Sequence, residues 1–166
     1  MVSVDFELKK LVMDAHIGDT LKFCYQCNRC TDVCPIAEIA PNRYNPRNTI
    51  LSSFLGFKSS ILGVEDKFNL WGCTVCDTCD EVCPQKIELT EIFTILKNMS
   101  IARGEGPEYY TIQASAIYES GKAIPPQSAI ERRRDQLGLP KVEHPKIEEV
   151  QKILNLTKLN KIINKE

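Results

Sequence analysis

The chain has 166 residues, 43% of them hydrophobic and 26% charged, with a formal net charge of −1. These values suit a modest folded protein rather than a disordered one, and lysines and arginines scattered among carboxylates leave no basic footprint for nucleic acid. No apolar run is long enough to cross a bilayer, and the charged start MVSVDFELKKLVMDA lacks the uncharged core of a signal peptide, so a cytoplasmic protein without a membrane span is expected.

The first predicted element is a helix whose stripe of Leu8, Leu11, Val12 and Ala15 is closed by Gly18. His16, like His144 far downstream, is isolated in sequence and suits a surface or packing role. Then comes CYQCNRCTDVCP, which sets cysteines at Cys24, Cys27, Cys30 and Cys34, followed by Pro35. CTVCDTCDEVCP repeats the pattern at Cys73, Cys76, Cys79 and Cys83, followed by Pro84, and the two runs hold all eight cysteines of the chain.

Disulfides would suit a secreted chain, but a reducing cytoplasm keeps thiols free. Structural zinc takes two CxxC-like pairs split by a longer loop, whereas here three cysteines crowd one short loop. A [4Fe-4S] cube has four iron corners that want soft thiolates, and C-x2-C-x2-C wraps three of them. In two-cluster proteins with C-x2-C-x2-C-x3-C-P, the last cysteine serves the other cluster. The expected ligands are therefore Cys24, Cys27, Cys30 and Cys83 for cluster 1, and Cys73, Cys76, Cys79 and Cys34 for cluster 2.

Pro35 and Pro84 are expected to open helices leaving each cluster. Residues 35–72 exceed the short connection of a compact bacterial ferredoxin. Within them, Asn45 caps a helix begun by Pro46, with Ile50, Leu51, Phe54 and Leu55 on one face and Gly56 at its end, and a short helical piece follows around Ile61 to Leu70. Arg43 and Arg47 are candidates to contact a partner or a cluster loop, with a solvated helix face as the expected role. Trp71 is a candidate to shield cluster 2 or simply to pack in the core. The second loop carries Asp77, Asp80 and Glu81 against Arg29 and Asp32 in the first; these carboxylates are expected to be solvated, and any that turned inward would make cluster 2 harder to reduce.

After the second motif, Leu89, Ile92, Phe93, Leu96 and Met99 make another helical stripe, closed by Gly104. Strand alternation is scarce throughout. The expected fold is mainly α: an α-helical ferredoxin-type module with two [4Fe-4S] clusters over residues 1–103, and a cysteine-free helical C-terminal extension over residues 104–166 that docks partners. In that extension Glu108 to Ser120 is a helix ended by Gly121, Ser128-Ala-Ile-Glu131 is a capping box for a helix stopping at Gly138, and Pro145 begins a last helix running to Ile163. No G-x-G-x-x-G and no Cys-Cys pair occurs, so neither a Rossmann-type cofactor site nor a CCG-type cluster is predicted. The chain has no evident substrate site and is expected to pass electrons between partners.

The paired motifs, the intervening NPRNTI and the tail segment GKAIPPQSAIERRRDQLGLP resemble the small iron-sulfur (C) subunit of methanogen heterodisulfide reductase, across nearly the whole chain. The cysteine motifs alone also occur in iron-sulfur subunits of succinate dehydrogenase and glycolate oxidase. The resemblance implies a non-catalytic electron-transfer subunit of an oxidoreductase complex. In that complex the flavin (A) subunit carries FAD and further clusters, and the CCG-motif (B) subunit reduces the coenzyme M–coenzyme B heterodisulfide in methanogenesis. Hydrogenase or formate dehydrogenase would be indirect partners. Two alternatives stay open: the relay subunit of another heterodisulfide-reductase-like or quinone-linked oxidoreductase, and an interaction protein whose clusters are structural.

Overall fold

The computed structural model describes residues 3–15, 18–125 and 127–164; His16 lies outside them. The regular elements among the described residues are all helices, without a strand, and the chain falls into two compact units, Met1–Gly106 and Pro107–Glu166.

The first unit is built around α7 (Leu89–Ala102), whose Leu89, Ile92, Phe93 and Leu96 recur at spacings of three and four and are fully buried. Against α7 lie α1 (Phe6–Asp14), α4 (Pro46–Leu55) and the short α5 (Phe68–Trp71). Helix α1 turns Leu8 and Val12 into this core but leaves Leu11 exposed, and it ends at Asp14 rather than continuing to Gly18, where a 3-10 turn (Gly18–Phe23) begins. Phe93 is 1% exposed. Phe93→Ala is expected to cost about 3–5 kcal/mol of stability, read as a lower urea midpoint by far-ultraviolet circular dichroism under anaerobic conditions.

Helix α4 starts where local rules put it: Asn45 Oδ1 accepts from Asn48 N at 3.1 Å and Pro46 occupies the first turn. Its buried face is Pro46, Thr49, Ile50 and Ser53, with Leu51 exposed. Gly56 ends it at φ 74°, and a Cβ there would stand 2.5 Å from the Asp5 carbonyl oxygen, so only glycine fits. That contact joins α4 to α1, because Asp5 N donates to Gly56 O at 2.7 Å. The Asp5 carboxylate caps α1 through Leu8 N (2.8 Å) and receives Lys58 Nζ (2.9 Å); the cap first, then the ammonium, holds its carboxyl below the usual range. The helical piece expected over Ile61 to Leu70 is instead a 3-10 turn (Lys58–Ser60) followed by α5, with Gly63 at φ 73° breaking the chain between them.

The second unit holds α8 (Glu108–Ser120), α9 (Ser128–Gln136), α10 (Ile147–Leu156) and α11 (Leu159–Asn164), with α8 packed on α10 and α11. Two expectations change here. Ser128 is already helical, so its side chain makes no cap; Gln127 is the N-cap, its carbonyl accepting from Ile130 N and Glu131 N. The last helix is two, because Lys158 adopts φ 63° after Thr157 caps α10. No side chain described in this unit is fully buried, and Ile147, Ile153 and Leu156 of α10 are exposed.

Candidate metal centre

The repeated sequence folds into a repeated backbone. Gln26 and Asn28, on either side of Cys27, have φ of 57° and 72°; Val75 and Asp77, on either side of Cys76, have φ of 54° and 59°. Asn and Asp tolerate this left-handed region, whereas branched Val75 is strained there, which surrounding structure must hold in place. Each loop then makes one helical turn, α2 (Arg29–Asp32) and α6 (Thr78–Glu81), and these two pack on each other. Cys30 and Cys34 are separated by that turn, about 6 Å along its axis, as are Cys79 and Cys83.

Two pockets result. One is lined by Cys24, Cys27, Cys30 and Cys83, with Ile50, Ile87 and Leu89 as apolar wall. The other is lined by Cys34, Cys73, Cys76 and Cys79, with Ile36, Tyr44 and Pro46. All eight thiols are free of disulfides. Among the described residues no three His, Cys, Asp or Glu side chains gather where a single metal ion would sit. A cube spreads its thiolates over four irons, whereas a zinc ion draws sulfurs to about 2.3 Å of one centre.

Donors surround the sulfurs. Val75 N reaches Cys73 Sγ and Ile87 N reaches Cys83 Sγ, both at 3.4 Å, and Gln26 Nε2 reaches Cys24 Sγ at 3.2 Å. The Thr78 hydroxyl lies 3.4 Å from Cys76 Sγ and lowers that thiol's pKa. Burial acts in the other direction on the inner thiols, pushing Cys30 up to about 11 and Cys79 up further, where the Asp80 charge adds to it. These two become thiolates readily only when a metal offsets the charge. Burial also raises the pKa of Tyr44, whose hydroxyl lies beside Cys73.

The two terminal prolines behave differently. Pro35 opens α3 (Pro35–Ile39) as expected, but no helix follows Pro84. Lys86 adopts φ 51° and Ile87 N turns back to Cys83 Sγ, so the backbone donor that a helix would use goes to sulfur. Asp77 and Glu81 are exposed, but Asp80 is not a solvated carboxylate. Its Oδ1 accepts from Leu89 N (2.7 Å) and Thr90 N (3.2 Å), and the Thr90 hydroxyl donates to its Oδ2, so it caps α7 from a distant element. Asp80→Ala is expected to cost about 1–2 kcal/mol, measured as a shift of the urea midpoint; an unchanged midpoint would mean that the cap carries no weight.

Sequence reasoning missed Lys97. It is 7% exposed, and its Nζ donates to the Cys73 carbonyl at 2.7 Å while lying 5.6 Å from the Trp71 ring centroid. Its signal was a lysine one turn after Phe93 on the apolar face of α7. Trp71 does not line the second pocket; it supports Lys97 and donates from Nε1 to Ser100 Oγ at 3.1 Å. Of the two arginines of the connection, Arg43 is exposed, as expected, and Arg47 only partly so. Arg43 makes a bidentate pair with Asp66 (2.7 and 2.8 Å) over the Phe68 ring, holding the Asp66 carboxyl down to about 2. Arg47 lines the first pocket. His144 is exposed.

Comparison with known proteins agrees with this geometry. A family model described as a 4Fe-4S double cluster binding domain matches residues 23–86. The second iron-sulfur C subunit of CoB–CoM heterodisulfide reductase from Methanocaldococcus jannaschii is 32% identical, over 95% of this chain and 84% of the relative. The chain belongs to the family of heterodisulfide reductase C subunits. Two further relatives widen that family. The C subunit of the H(2):CoB-CoM heterodisulfide,ferredoxin reductase of Methanothermobacter marburgensis is 29% identical over 97% of this chain and 87% of its own. A protein of Archaeoglobus profundus, described as like the heterodisulfide reductase C subunit, is 30% identical over 92% and 83%. As a member of this family the chain carries two [4Fe-4S] clusters and belongs to an oxidoreductase complex. The pockets suit that group: their ionisable lining is thiol-rich, their walls are apolar, and the Arg47 Nε of the first lies buried with no hydrogen-bond partner among the described residues. No helix among the described residues is long and apolar enough to cross a membrane.

Proposed function

We propose that this chain is a cytoplasmic electron-relay subunit of heterodisulfide reductase, with no substrate site of its own, carrying electrons from the flavin (A) subunit to the CCG-motif (B) subunit. Cys24, Cys27, Cys30 and Cys83 hold cluster 1, and Cys73, Cys76, Cys79 and Cys34 hold cluster 2. The observation that carries this is the lining of the two pockets, in which each loop of three cysteines is completed by the last cysteine of the other. A bound cube supplies one-electron chemistry, so a two-electron disulfide reduction must be fed stepwise.

The chain's own residues do three things in this scheme. The crossed cysteines tie the sites together through the packed turns α2 and α6, so electron passage needs no domain movement. Apolar walls exclude water from the inner sulfurs, while Cys27 and Cys76 lie exposed at the two loops and mark an entry and an exit edge. The exposed apolar side chains of α10, in a unit where no described residue is fully buried, suit docking on another protein of the complex. With two oxidised cubes adding about −2 each, the chain's charge becomes about −5, favouring basic partner surfaces near the loops.

The test is anaerobic isolation of the tagged chain from its host. A flavoprotein and a CCG-motif protein should accompany it, and the heterodisulfide should reoxidise its reduced clusters only while the CCG-motif protein is present. A complex that instead holds a membrane anchor and reoxidises with quinone would overturn the assignment to heterodisulfide reduction.

A further inference from the structure

The two pockets differ in the charge placed around them. Arg47 lies in the first turn of α4, directly after Pro46, and that turn is fixed to the first cysteine loop: the Thr31 hydroxyl of α2 donates to Asn45 Oδ1 at 3.1 Å. Arg47 lines the first pocket and its Nε is buried with no hydrogen-bond partner among the described residues, none of whose carboxylates pairs with it; Arg29 also lines that pocket but is exposed to solvent. A buried cationic donor left without an acceptor is costly, so its natural acceptor is whatever anion fills the pocket. Among the described residues, no arginine or lysine lines the second pocket. Lys97 spends its hydrogen bond on the Cys73 carbonyl, and the Asp80 carboxylate lies 3.5 Å from Cys79 Sγ.

We propose that Arg47 is the compensating cation of cluster 1, donating its Nε–H to a sulfur of that cluster and raising its potential above that of cluster 2. This rests on the ligand assignment proposed above. Reduction adds one electron, makes or breaks no bond and leaves the guanidinium proton in place; the added negative charge is stabilised by the cation already beside it. Electrons arriving in the chain therefore settle on cluster 1, and Arg47 acts as a positioning residue for charge rather than as a ligand.

The experiment is an anaerobic redox titration of the full chain, followed by electron paramagnetic resonance. The cluster 1 signal is assigned as the one that survives Cys34→Ala. Arg47→Gln should lower the reduction equilibrium constant of cluster 1 about tenfold, about 59 mV for one electron, with cluster 2 unmoved, and Arg47→Lys should recover most of the loss. An unchanged cluster 1, or equal shifts of both clusters, would overturn the proposal. If Arg47→Gln loses cluster 1, full iron in Arg47→Lys supports the charge role, and loss in both variants contradicts it. The ligand assignment is read separately, from Cys83→Ala: retention of cluster 1 there would sink the assignment, whatever Arg47 does.

Discussion

Cys34→Ala should remove cluster 2 and spare cluster 1, cutting iron from about eight to about four atoms per chain. The expectation follows from where the cysteine sits. One helical turn after Cys30, Cys34 has left the first pocket and lines the second, beside Cys73, Cys76 and Cys79. Removing it leaves three thiolates for four irons and opens an apolar pocket to water, so the cube is lost. Iron analysis and electron paramagnetic resonance on the same sample decide the matter. Loss of cluster 1 alone would show that each motif serves its own site.

Lys97→Met should produce the second large effect. The ammonium is buried, has no carboxylate partner among the described residues, and holds the Cys73 carbonyl at 2.7 Å. Losing a hydrogen bond to a buried charged group costs about 1.5–3 kcal/mol, here concentrated on the loop that begins cluster 2. Methionine keeps the bulk of the lysine stem on Trp71, so packing is largely preserved and the loss is electrostatic. We expect a lower urea midpoint together with a more negative cluster 2 potential, because a cation near its loop has been removed. A variant matching the parent in both would show that the ammonium only fills space.

Local rules carried the parts of the fold that depend on a few adjacent residues. Asn45-Pro46 opens α4, Gly56 and Gly121 close their helices, and the α7 stripe buries as its spacing requires, because each of these is decided by backbone geometry or periodicity within one or two turns. The mainly helical ferredoxin-type fold was legible for the same reason. The residues that surround the pockets were less so. Asp80, Arg47 and Lys97 are charged side chains that look solvated in sequence, and each is turned inward by a partner from another element: the start of α7, the first pocket and the Cys73 carbonyl. Pro84 failed as a helix start because sulfur claimed the Ile87 N–H, and Ser128 failed as a cap because the helix began one residue earlier in backbone terms. In each case a contact distant in sequence, or a shift of a single residue, outweighed a sound local preference.

Two redox-active cubes in one chain are the foundation of the proposed relay. An anaerobic potentiometric titration of the full chain, with iron counted on the same sample, tests this most directly. It should give about eight irons and two distinct one-electron signals that appear and vanish reversibly as the potential is lowered and raised. A chain that holds zinc in place of iron, or clusters that cannot be reduced and reoxidised without loss of folding, would contradict it.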